Sequence, residues 1–364
     1  MDRKRIVFTV TNDLVTDQRM NRICTTLHNA GYHVTLVGRV KKVHKNLTDQ
    51  VYSQHRIQCI FHSGPLFYLE YNLRLFLWLI GNSFDAYCAI DADTILPNTL
   101  ASIIKNKKLI FDAHEYYTEV PELIHRPIIK AIWQHVLDAC VGKAKLAYTV
   151  GDELANIFTY QYQIPFHVIR NMPTSKITET YASTNKIVWY QGDLNEGRGL
   201  EETLIACANL PVGFHIAGDG LLREKLKQLA STLNITDKVF FHGRIDASSL
   251  HDYTQKAWIG INVLSDESIS YQYSIANKFF DYVQAHVPSV CAGFIEYQKL
   301  NKQFEVSVFS EYSAASIEKS IITLLDNDVK YQQLKENCKL AAKEWIWEKE
   351  SVKLINLYKK VFDE

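Results

Sequence analysis

The chain has 364 residues, beyond the size at which one hydrophobic core keeps growing, so two domains are expected. Hydrophobic residues make up 47%, enough for packed globular cores, and Lys plus Arg equals Asp plus Glu at 40 each. A zero formal charge argues against a dedicated nucleic-acid binder, which carries a basic excess; a local basic patch does stand at Lys41, Lys42, His44 and Lys45.

Taken in chain order, the opening Met1-Asp2-Arg3-Lys4-Arg5-Ile6-Val7-Phe8 runs straight into a strand, so no signal peptide is expected. Short β-branched or aromatic runs predict strands at Arg5–Val10, His33–Val37, Phe84–Ile90, Lys108–Phe111, Leu146–Val150 and His167–Arg170. The greasiest region, Leu66 to Ile80, is interrupted by Glu70, Asn72 and Arg74. It is too short and too charged to span a bilayer and reads as a core helix in preference to a membrane-surface helix. A polar stretch from Asn171-Met172-Pro173 to Asn185 marks a break. Beyond it, strands are predicted at Ile187–Tyr190, Gly213–Ala217, Val239–His242, Trp258–Leu264, Ser289–Cys291 and Val306–Phe309. The last segment, Ser351 to Phe362, places Val352, Ile355, Tyr358 and Phe362 at helical spacing.

Two series of strands alternating with helical stretches predict two doubly wound α/β domains with parallel sheets. The boundaries expected are 1–172, a linker over 173–185, 186–350, and a terminal helix over 351–364 that needs a surface to pack on. In such sheets ligands bind outside the carboxyl ends of the strands, which places the expected site between the two facing domains. Seven scattered cysteines form no CxxC pair and read as small buried residues of a reducing compartment.

The loops at those strand ends carry the candidate chemistry. Thr11 to Arg19 is polar, includes Asp13, Asp17 and Arg19, and lacks the G-x-G-x-x-G of a nicotinamide dehydrogenase. Asp91-Ala92-Asp93 ends one strand; it could bind a metal or an acceptor, or equally cap the following helix. Asp112-Ala113-His114-Glu115 ends the next, where His114 could reach a sugar hydroxyl or a leaving-group oxygen. After Ile187–Tyr190 comes Gln191-Gly192-Asp193-Leu194-Asn195-Glu196-Gly197-Arg198-Gly199-Leu200, whose glycines allow close backbone approach and whose Arg198 offers a forked donor pair. Gly218-Asp219-Gly220 is a second glycine turn, for which the structural reading is favoured. In Tyr271 to Tyr282, Ser274 suits a helix N-cap, Ile275, Phe279 and Val283 form a buried stripe, and Lys278 and Asp281 share another face. That segment is either an ion-paired surface helix or a cradle for a phosphorylated ligand.

In order along the chain these segments resemble the family-4 retaining glycosyltransferases of the GT-B fold. Gly192-Asp193-Leu194-Asn195-Glu196-Gly197-Arg198-Gly199 matches the family's G-x-L-x-x-x-K-G loop, with Arg198 at the lysine and Asp193 in place of an arginine. Ser274-Ile275-Ala276-Asn277-Lys278-Phe279-Phe280-Asp281-Tyr282 resembles the S-L-P-N-K-L-F-E-Y of a bacterial subgroup. Phe111-Asp112-Ala113-His114-Glu115 resembles its Y-D-S-H-E, and Asp91-Ala92-Asp93-Thr94 its D-x-D-T. The first glutamate of the family's E-x7-E is absent at Tyr273, with Glu267 a substitute across a longer loop.

The resemblance implies two Rossmann-like domains facing a central cleft and a C-terminal crossover helix. It also implies a nucleotide-diphosphate sugar as co-substrate and transfer with retention to a glycan or lipid-linked saccharide. The donor would be held by Gly192, Arg198, Gly218, Asn277, Lys278, Asp281 and Glu267, with His114, Arg198 and Lys278 closest to the chemistry. Asp13, Asp17, Arg19, Asp91, Asp93 and Glu115 would face the acceptor. No bound metal or other cofactor and no nucleic acid is implied. The expected location is the cytoplasm, with peripheral contact at the inner face of the cell membrane. Two other readings stay open: a sugar-nucleotide epimerase, a class that shares the two-domain GT-B architecture, and a catalytically silent sugar-nucleotide-binding subunit, to which the departures at Asp193 and Tyr273 give weight.

Overall fold

The computed structural model describes residues 3–15, 17–42, 46–178 and 186–363; His44 and Lys45 of the basic patch and residues 179–185 of the expected linker lie outside them. The chain divides into two compact units, Met1–Asn171 with Glu350–Glu364, and Met172–Lys349.

The first unit is built on seven parallel strands: β1 (Arg5–Thr9), β2 (His33–Arg39), β3 (Ser53–Ile57), β4 (Ala86–Ile90), β5 (Lys108–Ala113), β6 (Leu146–Thr149) and β7 (Phe166–Val168). Their order is β3-β2-β1-β4-β5-β6-β7. The chain reverses its direction of travel across the sheet after β3, so the switch point lies between β1 and β4. That is where an open α/β sheet leaves a crevice. β4 is buried at every position because helices cover both faces, which is why it reads as a continuous apolar run. The edge strand β3, Ser-Gln-His-Arg-Ile, buries only Ile57 and was not among the expected strands.

Helix α1 (Gln18–Asn29) starts where Asp17 accepts the Met20 N–H. Helix α2 (Gly64–Gly81) buries Phe67, Tyr71, Leu75 and Leu79 in the core of the first unit. A leucine buried in this way contributes roughly 1.5–3 kcal/mol. Its other face exposes Leu66, Leu69, Leu73 and Leu77, so the core-helix expectation covers only one face. Helix α3 (Ala92–Ile104) packs beside it.

The second unit carries six parallel strands: β8 (Ile187–Gln191), β9 (Gly213–Ala217), β10 (Val239–Gly243), β11 (Ile259–Asn262), β12 (Ser289–Ala292) and β13 (Ser307–Ser310). Their order, β10-β9-β8-β11-β12-β13, puts the switch point between β8 and β11. Residues 173–178 pack within this unit: the Trp347 N–H donates to the Pro173 carbonyl at 2.7 Å and the Thr178 hydroxyl to the Gln284 carbonyl at 2.6 Å.

The last helix, Trp347–Asp363, returns to the first unit from Glu350 onward. Its buried stripe is Leu354, Tyr358 and Val361; of the expected series Tyr358 is buried, Ile355 and Phe362 are half-buried, and Val352 is 55% exposed. The Tyr358 hydroxyl stands 3.2 Å from that of Tyr148 and its ring lies 6.2 Å from Phe8.

Candidate functional site

At the carboxyl end of β8 the chain turns through Gly192, at φ +135°. The neighbouring turn after β9 comes so close that a Cβ on Gly218, at φ +144°, would sit 1.8 Å from the Gly192 carbonyl oxygen. Gly218 therefore supports the turn from behind. Leu194 is buried and fastens the loop, its N–H donating to the Asp219 carbonyl at 3.1 Å.

Two basic side chains end up over this turn. The Arg198 guanidinium lies 4.9 Å from the centre of the Tyr271 ring, and the Lys278 ammonium nitrogen 3.8 Å from that of Tyr190. Arg198 Nε and Lys278 Nζ are buried and have no hydrogen-bond partner among the described residues. Lys278 is 6% exposed, and a Cβ on Gly192 would stand 3.5 Å from its Nζ. Burial, then the Arg198 charge, pushes the Lys278 pKa well below its ordinary value. For Arg198 burial works in the same downward sense, but Tyr271, Tyr190 and Asp193 outweigh it. A desolvated cation over an aromatic face recovers about 2 kcal/mol, less than the several kcal/mol that burying an unpaired ion costs. An anion placed between the two would supply the missing acceptors.

The expected pairing of Lys278 with Asp281 does not form. Asp281 Oδ2 instead accepts from Gln191 Nε2 at 2.9 Å, and Gln191 Oε1 accepts from Trp189 Nε1 at 2.9 Å and the Thr254 hydroxyl at 2.7 Å. The helix runs Asn277–Gln284 with Ala276 at its N-cap position, so Ser274 does not cap it. Ser274 is extended and closes a separate short helix, Ile269–Tyr273, which Ser268 caps. Ile275, Phe279 and Val283 are buried in one cluster. Asn277 and Glu267 are exposed; the Glu267 N–H donates to the Ser265 hydroxyl at 3.2 Å. A cavity of about 700 Å³ in this unit is lined by Asp266, Phe294, Phe309, Tyr312 and Lys319 among others; none of them is a sequence candidate.

In the first unit the candidates are joined by charge. Arg19, 4% exposed, gives Nη2 to Asp112 Oδ1 at 2.9 Å and Nη1 to the Ile169 carbonyl at 2.9 Å. Asp112 Oδ2 lies 3.0 Å from His114 Nε2. The His114 N–H donates to Asp91 Oδ1 at 2.7 Å, while its Nδ1 stands 3.8 Å from Asp91 Oδ2, beyond hydrogen-bond length. Burial alone would lower the His114 pKa, but Asp112 and Asp91 overcome it and raise it to about 9. Asp91, at φ +54°, occupies the N-cap position of α3 without a side-chain cap, and burial pushes its pKa upward. Asp93 is also pushed up by burial, to about 6, and accepts from the Thr11 hydroxyl.

Arg19 and Asp17 are consumed by the fold: the first is locked under Asp112, the second caps α1 and accepts from Asn12. Asp13 uses its carbonyl for Arg56 and keeps a buried Oδ1 without a partner, and Glu115 is partly buried. No group of three or more His, Cys, Asp or Glu among the described residues could hold a metal ion.

Residues 173–344 match the family model described as "Glycosyl transferases group 1". This segment is a glycosyl transferases group 1 domain. By sequence, no curated protein matches the chain. In structure it is similar to a sucrose-phosphate synthase from Thermosynechococcus elongatus: TM-score 0.84, 15% identity, 99% of this chain and 100% of that one. It is also similar to HepE of Anabaena in complex with UDP and glucose, at TM-score 0.77, 12% identity, 98% of this chain and 100% of that one. A third is WaaG, a glycosyltransferase involved in lipopolysaccharide biosynthesis, at TM-score 0.75, 13% identity, 97% and 99%. At these identities the likeness shows the fold, which is GT-B. Within the group 1 domain, sequence reasoning missed Tyr190, Tyr271 and Gln191. Tyr190 and Gln191 directly precede Gly192 and Tyr271 opens the donor-like segment, but only packing brings two rings and an amide onto Arg198, Lys278 and Asp281.

Proposed function

We propose that the chain is a glycosyltransferase that moves a sugar from a nucleotide-diphosphate sugar to a glycan or lipid-linked acceptor with retention of configuration. The observation that carries this reading is the pair of buried basic side chains, Arg198 and Lys278, with Nε and Nζ lacking any hydrogen-bond partner among the described residues beside a glycine turn. They suit a leaving diphosphate, whose developing charge is what a retaining front-face transfer most needs to stabilise. Asp281, held by Gln191, takes the ribose hydroxyls, and Gly192 lets the diphosphate approach the backbone. Asn277 and Glu267, both exposed, are the remaining donor-side groups.

On the first unit His114 keeps Nδ1 beyond hydrogen-bond length of Asp91 and offers it to the transferred sugar; Asp91, Asp93 and Glu115 take the acceptor side. The exposed leucines of α2 suit peripheral contact with a membrane that holds a lipid-linked acceptor, and the location proposed is cytoplasmic. The match of residues 173–344 and the UDP-bound HepE relative support the donor class.

A panel of nucleotide sugars is incubated with the chain, alone and with lipid-linked saccharides, and release of nucleoside diphosphate is followed. Transfer or slow hydrolysis with one donor is expected; binding without either would sink the catalytic reading. Asp281→Asn should weaken binding of the nucleotide more than binding of inorganic diphosphate, and equal losses would remove the ribose role.

A further inference from the structure

In water an ammonium donates three hydrogen bonds. Lys278 Nζ donates none to any described residue, and at 6% exposed the side chain is largely sealed from solvent. The charged and titratable groups that face it are few. Tyr190 on β8 presents its ring at 3.8 Å, Asp193 and Arg198 come from the loop after β8, and Cys291 comes from β12. Asp281, on the same helix, is turned to Gln191. Arg198 holds its proton at every working pH, so the nearest permanent charge repels a second cation, and the Asp193 carboxylate forms no ion pair with Lys278.

We propose that Lys278 is an uncharged amine in the free chain and takes one proton from solvent together with the anionic ligand, so that diphosphate binding is proton-linked. This rests on the diphosphate reading above. The diphosphate oxygens supply the acceptors that the site lacks and a negative charge that offsets Arg198, and both favour the ammonium form. The new ammonium then donates N–H groups to the leaving diphosphate. Arg198 alone would give the ligand one fixed charge; Lys278 adds a charge that the empty site does not have to carry. The directions of the local pKa shift, burial first and Arg198 second, agree. One proton taken up makes affinity fall about tenfold for each pH unit above the pKa of the free amine.

The test uses the full chain with 13Cε-labelled lysine. The resonance lost in both Lys278→Met and Lys278→Arg, so that a folding failure of one leaves the other, reports this side chain. At pH 8 it is expected at the amine position in the free chain and at the ammonium position after UDP-glucose or inorganic pyrophosphate is added. Titration calorimetry in parallel should show wild-type affinity for UDP-glucose falling between pH 7 and 9, and affinity of the Lys278→Arg chain staying flat. An ammonium resonance in the free chain, or an amine resonance that persists with ligand bound, overturns the proposal and leaves the diphosphate reading standing. Failure of both probes to bind overturns the two together.

Discussion

The molecule buries charge in two contrasting ways. In the first unit Arg19, Asp112 and His114 form a closed chain, in which each charge meets an opposite one at 2.9–3.0 Å. In the second unit Arg198 and Lys278 are buried over tyrosine rings, with no acceptor for Nε or Nζ among the described residues. Both arrangements desolvate basic groups; only the first meets them with opposite charge. A compensated cluster holds its own geometry, whereas the uncompensated pair gains its acceptors only when something anionic arrives.

The comparison breaks first on stability. Arg19→Ala should cost about 3–5 kcal/mol, because it leaves the Asp112 carboxylate buried and half-paired; chemical denaturation measures it, and a loss under about 1 kcal/mol would make the cluster peripheral. Lys278→Met, by contrast, should leave the melting midpoint unchanged or raise it. A clear destabilisation there would mean that the lysine is paired in a way the structure does not show.

On binding the order reverses. Arg198→Ala should weaken UDP-glucose binding by about 1.5–3 kcal/mol through loss of a charge-assisted contact, with little change in melting. Unchanged affinity in calorimetry would remove Arg198 from the site.

The two regions should also part in their response to pH. His114 has a folded pKa raised to about 9, so its contribution to stability is fully present below about 6.5, the ordinary histidine value. It is lost as pH rises through 9. Wild-type melting should fall across that window more steeply than that of His114→Gln, and parallel curves would contradict the imidazolium assignment. The smallest effect concerns the surface of the first unit. Leu69→Ser with Leu73→Ser should lower partition onto vesicles of phosphatidylcholine and phosphatidylglycerol at least roughly tenfold. Equal partition would leave the α2 face without a membrane role.

Much of the fold was legible because buried parallel strands announce themselves. β4, Ala-Tyr-Cys-Ala-Ile, is covered on both faces and had to be apolar throughout. β3 was not legible: an edge strand with one buried residue carries no such constraint, and its Ser, Gln, His and Arg read as loop. The terminal helix was visible as a helix with Tyr358 on its buried face, but Val352 was assigned to that face and Leu354 and Val361 were missed. Leu354, Tyr358 and Val361 and the sequence's own choice of Val352, Ile355, Tyr358 and Phe362 are both consistent with a 3.6-residue period. Tyr358, common to both, sits on the hydroxyl of Tyr148, and it is Leu354 and Val361 that are buried beside it while Val352 is exposed.

The candidate site divides in the same way. Glycine turns, strand ends and the residues Arg198, Lys278, Asp281 and His114 could be located along the chain, because local backbone chemistry and loop position depend on neighbours in sequence. Their electrostatic state could not. Lys278 and Asp281, three apart on one helix, suggested a pair; packing gave the carboxylate to Gln191 and left the Lys278 nitrogen over Tyr190, a residue 88 positions away in the chain. Arg19 and Asp17 looked available on a polar loop, yet Arg19 lies under Asp112 and Asp17 caps α1. Sequence alone determined the alternation of elements and the positions of the loops, since hydrophobic periodicity and turn chemistry act over a few residues. Which charges are satisfied and which are left waiting was decided by the tertiary structure, because burial and the choice of partner depend on contacts between distant segments.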